Sequence, residues 1–183
     1  MSTDRERVRR EPGGTKVRIA ASDLWTHGEP PEERAPLSDL EADGELGHIH
    51  GLLTIELAGR AVPHLGFFGP DDVCLDTWVV ELCNAVNRLA IAPSEYTFDE
   101  GEQGQPAFRF VRVGDELAVS IVESSFSGGR ADPDWQAVTC RYADFRAAFV
   151  DFLGALRDDL RLATLPGIAE RWWPPEAVVA EAS

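Results

Sequence analysis

Hydrophobic and polar residues alternate through residues 48–59, the segment HIHGLLTIELAG. Successive side chains of a strand point to opposite faces, so a period of two predicts a strand with one buried face. The apolar face carries Leu53, Ile55 and Leu57. Residues 16–25 predict an earlier strand, and a tight turn at Gly59-Arg60 predicts a short strand over 61–66.

Two later segments repeat their apolar residues with the period of an α-helix. The first is predicted to begin after a capping Asp71 or Asp72 and to run to about Ile91, where Ala92-Pro93 stops it. Its apolar stripe is Leu75, Trp78, Val79, Leu82, Val86 and Leu89. The second helix covers about 143–162, with the stripe Phe145, Phe149, Phe152, Leu156 and Leu160. Both patterns are typical of amphipathic helices packed on a sheet.

Between these helices the chain predicts an antiparallel hairpin. The segments AFRFVRV and ELAVSIVES flank Gly114-Asp115, and glycine first in a two-residue loop favours a type II′ turn. The strand WQAVTCR follows, and a short helix is predicted over 166–173. Two repeats of three strands and a helix predict an α+β fold, a two-layer sandwich of a mainly antiparallel sheet with two long amphipathic helices on one face. The length fits one domain, assigned to 16–173.

Three segments show neither the two-residue period of a strand nor the period of an α-helix. Residues 1–15 are polar and contain Pro12, Gly13 and Gly14, so a disordered basic N-terminal arm is expected. Residues 26–47 carry three prolines and seven carboxylates. Disorder is expected for this acidic loop, with a functional loop as the alternative. Residues 174–183 are expected to be a frayed C-terminal tail.

Charge is distributed unevenly along the chain. Residues 1–18 carry six basic and three acidic side chains and residues 19–183 carry 11 and 29, so the net charge of −15 combines an arm of +3 with a body of −18. The acidic body is expected to repel nucleic acid and anionic membranes and to attract a basic protein. An acidic surface also keeps proteins soluble, and that simpler explanation stays open.

The compartment is predicted from what the sequence lacks. No apolar run approaches 18 residues, and the charged N-terminus has no apolar stretch of the kind that a secretory signal needs. A cytoplasmic protein with reduced, mostly buried cysteines is expected. Cys74 and Cys83 are predicted to lie on opposite faces of the first helix, because nine residues turn a helix through about 900°.

The best candidate for a metal site is the pair His48 and His50. Histidines separated by one residue share a face of a strand, and His64 in the adjoining strand could approach them. With a nearby carboxylate, the three could hold zinc; ordinary strand-surface histidines are the alternative. The motifs of serine hydrolases, zinc proteases and phosphate-binding loops are missing, so no catalytic residue and no cofactor is predicted. A binding protein is favoured over an enzyme.

Candidate partner-binding residues are of two kinds. Asp99, Glu100 and Glu102 lie in a second acidic loop and would form a charged rim. The apolar candidates are Phe67, Phe68, Trp172 and Trp173. They stand at the ends of elements beside prolines, where large side chains are often half exposed and mark contact sites. The alternative is that they cover the ends of the core.

Six runs follow one another within residues 46–173: GLLTIELAGRAV, FFGPDD, VVELCNAVNRL, YTFDEGEQGQPAFRF, LAVSIVES and FRAAFVDFLGALRDDL. Their layout of strand pair, helix, hairpin, strand and helix resembles small bacterial α+β domains, some of which are similar to immunity proteins of polymorphic toxin systems. The resemblance implies a small acidic protein that neutralises a basic toxin by binding it, and it transfers no individual residue. A metal-dependent enzyme and a self-associating accessory domain are the alternatives.

Overall fold

The computed structural model describes residues 17–28, 33–40, 48–66, 72–102 and 104–182. The described strands are β1 (Arg18–His27), β2 (Arg34–Ala35), β3 (Ile49–Leu57), β4 (Arg60–Ala61), β5 (Asp72–Cys74), β6 (Ser94–Phe98), β7 (Ala107–Val113), β8 (Glu116–Val122) and β9 (Val138–Arg141). The described helices are α1 (Leu75–Arg88), α2 (Tyr142–Ala163), α3 (Ile168–Trp172) and α4 (Pro175–Ala182), together with a 3-10 helix at Leu37–Asp39.

The strands form two antiparallel sheets. The first sheet has the order β2-β1-β3-β4, and β5 also pairs with β3. The second sheet has the order β6-β7-β8-β9. The α+β class, the antiparallel pairing and the two long helices are therefore confirmed. Alternation alone does not say which strands pair, so the division into two sheets is a finding of the structure.

One hydrophobic core joins the two sheets and the helices. The apolar stripes predicted for α1 and α2 are buried. Trp78 of α1 contacts Phe98 and Phe108 of the second sheet edge to face, with ring centroids 4.9 and 5.2 Å apart. The hydroxyl of Tyr142 in α2 donates a hydrogen bond to the carbonyl oxygen of Val86 in α1 at 2.9 Å. The two long helices are thus fixed to each other as well as to the sheets.

The first long helix begins later than predicted. Asp72, one of the two predicted caps, is a buried residue of β5, and α1 begins after Cys74 without a side-chain cap. Asp71, the other predicted cap, lies outside the described residues. Cys74 therefore ends a strand and does not share a helix with Cys83. This places the Cys74 thiol at a strand-to-helix junction.

The acidic segment 26–47 is more regular than expected in its described part. β1 extends to His27, β2 follows, and the 3-10 helix places Leu37 and Leu40 in the core. The packing of a few apolar side chains orders this segment, and such packing produces neither the strand period nor the helix period in the sequence.

The strand predicted over 61–66 is shorter than expected, because β4 ends at Ala61.

The C-terminal segment 174–183 also differs from the prediction of a frayed tail. It contains α4, which packs against α1 and buries Ala177 and Ala180. Small side chains give a weak hydrophobic signal, although alanine favours a helix. The predicted arm 1–15 lies outside the described residues. None of the described helices has the length and apolar character that crossing a membrane requires.

Candidate metal centre

A polar cavity of about 230 Å³ lies on the polar face of the first sheet. Trp25, His50 and Cys74 occupy paired positions on β1, β3 and β5, so their side chains share this face. His27 and His48 lie two residues along the chain from Trp25 and His50, and they share it too. The cavity is lined by His27, His48, His50, Cys74, Thr77, Glu100 and Glu102.

A bulge in β1 brings Trp25 and His27 to this face. Ser22 pairs with Leu52 and Trp25 pairs with His50, so three steps along β1 match two steps along β3. One extra residue in a strand moves every later side chain to the opposite face of the sheet. Without the bulge, the rings of Trp25 and His27 would point to the hydrophobic core.

Two residues accommodate the bulge. Asp23 has a φ of 51°, a left-handed conformation that aspartate adopts more readily than most residues. Gly51 of β3 faces the bulge, and a Cβ there would lie 2.9 Å from Cδ2 of Leu24 and 3.0 Å from the carbonyl oxygen of Ser22. The missing side chain at Gly51 therefore leaves the space that Leu24 fills.

Three metal-binding side chains meet at the junction between β5 and α1. Nδ1 of His48 lies 3.0 Å from Oδ2 of Asp76 and 3.4 Å from Sγ of Cys74. The thiol of Cys74 donates a hydrogen bond to Oδ1 of Asp76 at 2.7 Å. In a tetrahedral zinc site with bonds of 2.0–2.3 Å, ligand atoms are about 3.3–3.8 Å apart. The His48–Cys74 pair already has that spacing, whereas Asp76 would have to move away from His48 by about 0.3 Å and from Cys74 by about 0.6 Å or more to reach it.

The Cys74 thiol carries a proton at neutral pH. Burial raises its pKa to about 12, and the hydrogen bond to Asp76 and the charge of Asp76 act in the same direction. A metal ion binds the thiolate, so Cys74 would act as a ligand only after its thiol has lost this proton. Cys74 and Asp76 would then supply a sulfur and an oxygen ligand.

His50 is a buried residue of the cavity lining. Burial lowers its pKa, and the electrostatic interaction with His27 acts in the same direction, which favours the neutral imidazole. The His50 ring stacks on Trp25 with centroids 4.3 Å apart and meets the edge of His27 at 4.7 Å. A neutral imidazole is the form that binds metals. The three rings form one wall beside the candidate ligands.

The outer side of Trp25 is covered by a cation. The guanidinium carbon of Arg34 in β2 lies 4.6 Å from the Trp25 ring centroid, and Arg34 also donates a hydrogen bond to the buried Asp72. Trp25 therefore makes a cation–π contact with Arg34 and a stacking contact with His50. Both contacts help to fix the position of its ring.

The other wall of the cavity is acidic. Burial raises the pKa of Glu100 to about 7, and the charges of three neighbouring carboxylates act in the same direction. These are Glu102, Asp76 and Glu81, in decreasing order of effect. Neither Glu100 nor Glu102 forms an ion pair with a described residue. Negative charge therefore accumulates at the cavity, and a cation bound there would relieve it.

The structure brings together two of the three histidines predicted from the sequence. His48 and His50 line the cavity, but His64 lies in a separate one, with its Nε2 3.4 Å from Oδ2 of Asp132. His27 takes the place predicted for His64. The sequence gives one indication of His27, because Trp25-Thr26-His27 has the same one-residue spacing as His48-Ile49-His50. It gives no indication of the bulge in β1 that brings the two pairs to the same face.

Asp99, the third acidic residue predicted to contact a partner, instead forms hydrogen bonds within the fold. Its carboxylate accepts hydrogen bonds from the Ser124 hydroxyl at 2.7 Å and from the backbone N–H and hydroxyl of Ser125 at 2.9 and 3.0 Å. Asp99 thereby holds the glycine-rich loop after β8. Only Glu100 and Glu102 of the predicted acidic rim line the cavity.

Trp172 and Trp173, the two predicted aromatic anchors that the structure describes, lie away from the cavity. Trp172 is buried, so it does not provide the exposed contact expected of it, and it covers one end of the core. Trp173 is half-buried against that core, and the guanidinium carbon of Arg157 lies 4.3 Å from its ring centroid. Phe67 and Phe68 lie outside the described residues.

Cys74 and Asp76 are the ligand candidates that sequence reasoning misses. Their C-x-D spacing is short and common by chance. It indicates a metal site only once the fold places it at the junction between β5 and α1, next to His48. Together with His48 they offer a nitrogen, a sulfur and an oxygen, which is a suitable set for a transition metal.

No family model matches the sequence, and no significant match was found among curated proteins or solved structures.

Proposed function

We propose that this protein binds a divalent transition-metal ion, zinc above all, through His48, Cys74 and Asp76. One observation carries the proposal: an imidazole nitrogen, a thiol sulfur and a carboxylate oxygen lie within 4.8 Å of one another. Zinc accepts all three kinds of donor, whereas magnesium and calcium prefer oxygen ligands. The net charge of −15 favours a cation as well.

Three protein ligands leave one position of a tetrahedral zinc ion open. That position is the place for a water molecule, which a bound zinc ion makes acidic. Glu100 lines the same cavity and is the carboxylate available to accept a proton. Three ligands meet among the residues that the structure describes, so we propose an open zinc position of the kind that metal-dependent enzymes use, whereas a structural zinc site uses four protein ligands.

Metal analysis of the whole chain tests the proposal. We expect one zinc ion per chain after loading and removal of excess metal. Substitution of zinc by Co²⁺ should give the charge-transfer absorption of a thiolate–cobalt bond, and loss of that absorption in Cys74→Ser would identify Cys74 as the ligand. A protein that retains no zinc and shows no such absorption would contradict the proposal.

Matched variants locate the site. Cys74→Ser and His48→Gln should each weaken zinc binding by at least about tenfold, because each removes one of three ligands. His64→Gln is the control, since His64 lies in a separate cavity. Equal affinity in all three variants would place the metal elsewhere. Circular dichroism of each variant shows whether the fold is retained.

A second candidate function is recognition of a basic protein, as the resemblance to immunity proteins suggests. The observation in its favour is that burial and, after it, repulsion from Glu102 raise the pKa of Glu100. An arginine or lysine of a partner would neutralise these charges as a metal would. The charge of the whole body would also speed the encounter with a basic protein.

Two variants separate this function from metal binding. The double substitution Glu100→Gln with Glu102→Gln should weaken a salt-sensitive complex with a basic protein, such as a cationic nuclease, and leave the three metal ligands in place. Glu116→Gln, an exposed acidic residue of β8, is the control. If the double variant and the control bind the basic protein equally, the acidic wall is not a partner site.

A further inference from the structure

We propose that the open edge of β1 and the neighbouring face of α2 bind an extended basic segment of a partner protein, which adds as a strand to the first sheet. This site is separate from the metal centre. It lies along Arg18–Ser22, the part of β1 before the bulge. The wall of the metal centre uses the part of β1 after the bulge, which contains Trp25 and His27. Its success or failure therefore leaves the proposed metal site untouched.

The first observation is a strand edge with which no other described strand pairs. Residues Arg18–Ser22 pair with β3 on one side. On the other side, β2 pairs with β1 only at Thr26 and His27, and no other described strand reaches this edge. An edge of this kind presents backbone N–H and carbonyl groups that can receive another strand.

The second observation is a groove beside that edge. A cavity of about 250 Å³ lies between β1 and α2. Its apolar lining is Ile19, Ala20, Ala21, Phe152, Ala155 and Leu156. Three of these six are alanines, so the floor has room for side chains of an added strand. Every second side chain of such a strand would enter the groove.

The third observation is the charge on the rim. Asp151 and Asp159 of α2 line the groove, both are exposed, and neither forms an ion pair with a described residue. Eight residues of helix separate them by about 12 Å. In an extended strand, about 12 Å corresponds to four residues. The rim therefore fits a segment with basic residues four positions apart and a small apolar residue midway.

The same charges argue against a second copy of this chain as the occupant. Edge-to-edge pairing of two copies would bring together two Asp151–Asp159 rims, and each chain carries a net charge of −15. An extended segment rich in arginine has the opposite charge and needs only one free edge. Strand addition gives affinity through the backbone, and the two carboxylates give the preference for basic residues.

A labelled peptide tests the proposal on the whole chain. The probe is the blocked peptide TRTVTRT, with arginines four positions apart and valine midway. We expect saturable binding by fluorescence anisotropy that weakens as salt is added. Two control peptides should fail to bind: one with both arginines replaced by glutamate, and one with the valine backbone nitrogen methylated so that it cannot donate to a strand edge.

Variants and amide exchange locate the bound peptide. The double substitution Asp151→Asn with Asp159→Asn should weaken binding about fivefold to tenfold, because two exposed charge pairs are lost. Asp158→Asn on the same helix is the matched control. Hydrogen exchange should slow at the backbone amides of Arg18–Ser22 when the peptide is bound.

Three outcomes would overturn the proposal. The peptide does not bind; or it binds without slowing exchange at Arg18–Ser22; or the double variant binds as tightly as the Asp158→Asn control. Light scattering adds a fourth: a dimer that forms on concentration and protects the same amides would identify a second copy as the occupant.

Discussion

The ring of Trp25 stacks on the imidazole of His50 with centroids 4.3 Å apart and planes inclined by 21°. The two residues are directly paired on β1 and β3, yet the alternation of β1 from Arg18 onward would place Trp25 on the other face. The bulge reverses that alternation. One inserted residue therefore determines whether His27 and Trp25 belong to the core or to the candidate metal centre.

The substitution Gly51→Ala tests this dependence on the bulge. The added Cβ would lie 2.9 Å from Cδ2 of Leu24 and 3.0 Å from the carbonyl oxygen of Ser22. We expect a loss of about 1–3 kcal/mol in the free energy of unfolding, as overpacking of a close contact usually causes. Urea denaturation measures it. Zinc affinity should fall too, because a shifted bulge moves the wall of the cavity.

Thr54→Ala is the control for Gly51→Ala. Thr54 lies on the polar face of the same strand and is half-buried, so its loss should change the free energy of unfolding by less than about 1 kcal/mol and leave zinc affinity unchanged. If Gly51→Ala is as stable and binds zinc as tightly as this control, the bulge does not depend on the space at Gly51.

Zinc is expected to stabilise the folded protein. A ligand that binds only the folded state at 100 times its Kd raises the free energy of unfolding by about 2.7 kcal/mol. Thermal denaturation with zinc should therefore give a higher Tm, and a chelator should reverse the gain. At the same zinc concentration, Cys74→Ser should reduce the stabilisation to about half or less, and His64→Gln should keep it. A Tm shift of full size in Cys74→Ser would show that zinc acts at another place.

Much of the fold can be predicted from the sequence because it follows from long, regular patterns. The alternation around Leu53 and the stripes of α1 and α2 describe burial directly, and the structure confirms them. Short elements behave differently. β2 has two residues, and α4 is held by small alanines such as Ala177, so neither gives a periodic signal.

The candidate site is less predictable than the fold because it depends on register. The spacing of His48 and His50 reveals that they share a face, but nothing local says that Cys74 pairs opposite His50. The prediction of His64 fails for the same reason, since β4 ends before reaching it. Side chains from three strands and a helix meet here through pairings that only the folded chain defines.

Asp99 provides a prediction about pH. Burial raises its pKa, but hydrogen bonds from Ser124 and Ser125 outweigh this effect and hold the pKa below the usual 3.8. A carboxylate with a lowered pKa stabilises the fold above its unfolded-state pKa, and the contribution is lost as the pH falls through the folded-state pKa. Asp99→Asn should therefore lower the free energy of unfolding at pH 7 by about 1 kcal/mol, a value reduced by solvent screening.

The difference between the parent protein and Asp99→Asn should shrink steadily as urea denaturation is repeated from pH 5 towards pH 3 and below. Asp134→Asn is the control, because its carboxylate is exposed and its neighbours bond only its backbone atoms. A constant difference across this pH range would mean that Asp99 acts through its shape and not through its charge.

Gly129 and Gly154 give a pair of substitutions with opposite expected signs. A Cβ at Gly129 would lie 1.9 Å from the carbonyl oxygen of Gln105, a backbone atom that cannot move without opening the loop. Gly129→Ala should therefore lower the free energy of unfolding by about 3 kcal/mol. Gly154 is exposed in the middle of α2 with no atom within 4 Å of an added Cβ. Gly154→Ala should raise it by about 0.5–1 kcal/mol, since alanine restricts the unfolded chain and favours the helix.

Urea denaturation at one pH measures both changes, and each variant controls for the other because the chemical change is identical. The Gly129→Ala loss comes from contact with fixed backbone, and it includes the hydrogen bond that the Ser127 hydroxyl donates to the Gln105 carbonyl. Replacing Ser127 with alanine removes that hydrogen bond and the one that the Ser127 hydroxyl accepts from the Gly129 backbone N–H, without a clash, so Ser127→Ala should lose only about 1–2 kcal/mol. A Gly129→Ala loss no larger than that of Ser127→Ala would contradict the close approach of the two loops.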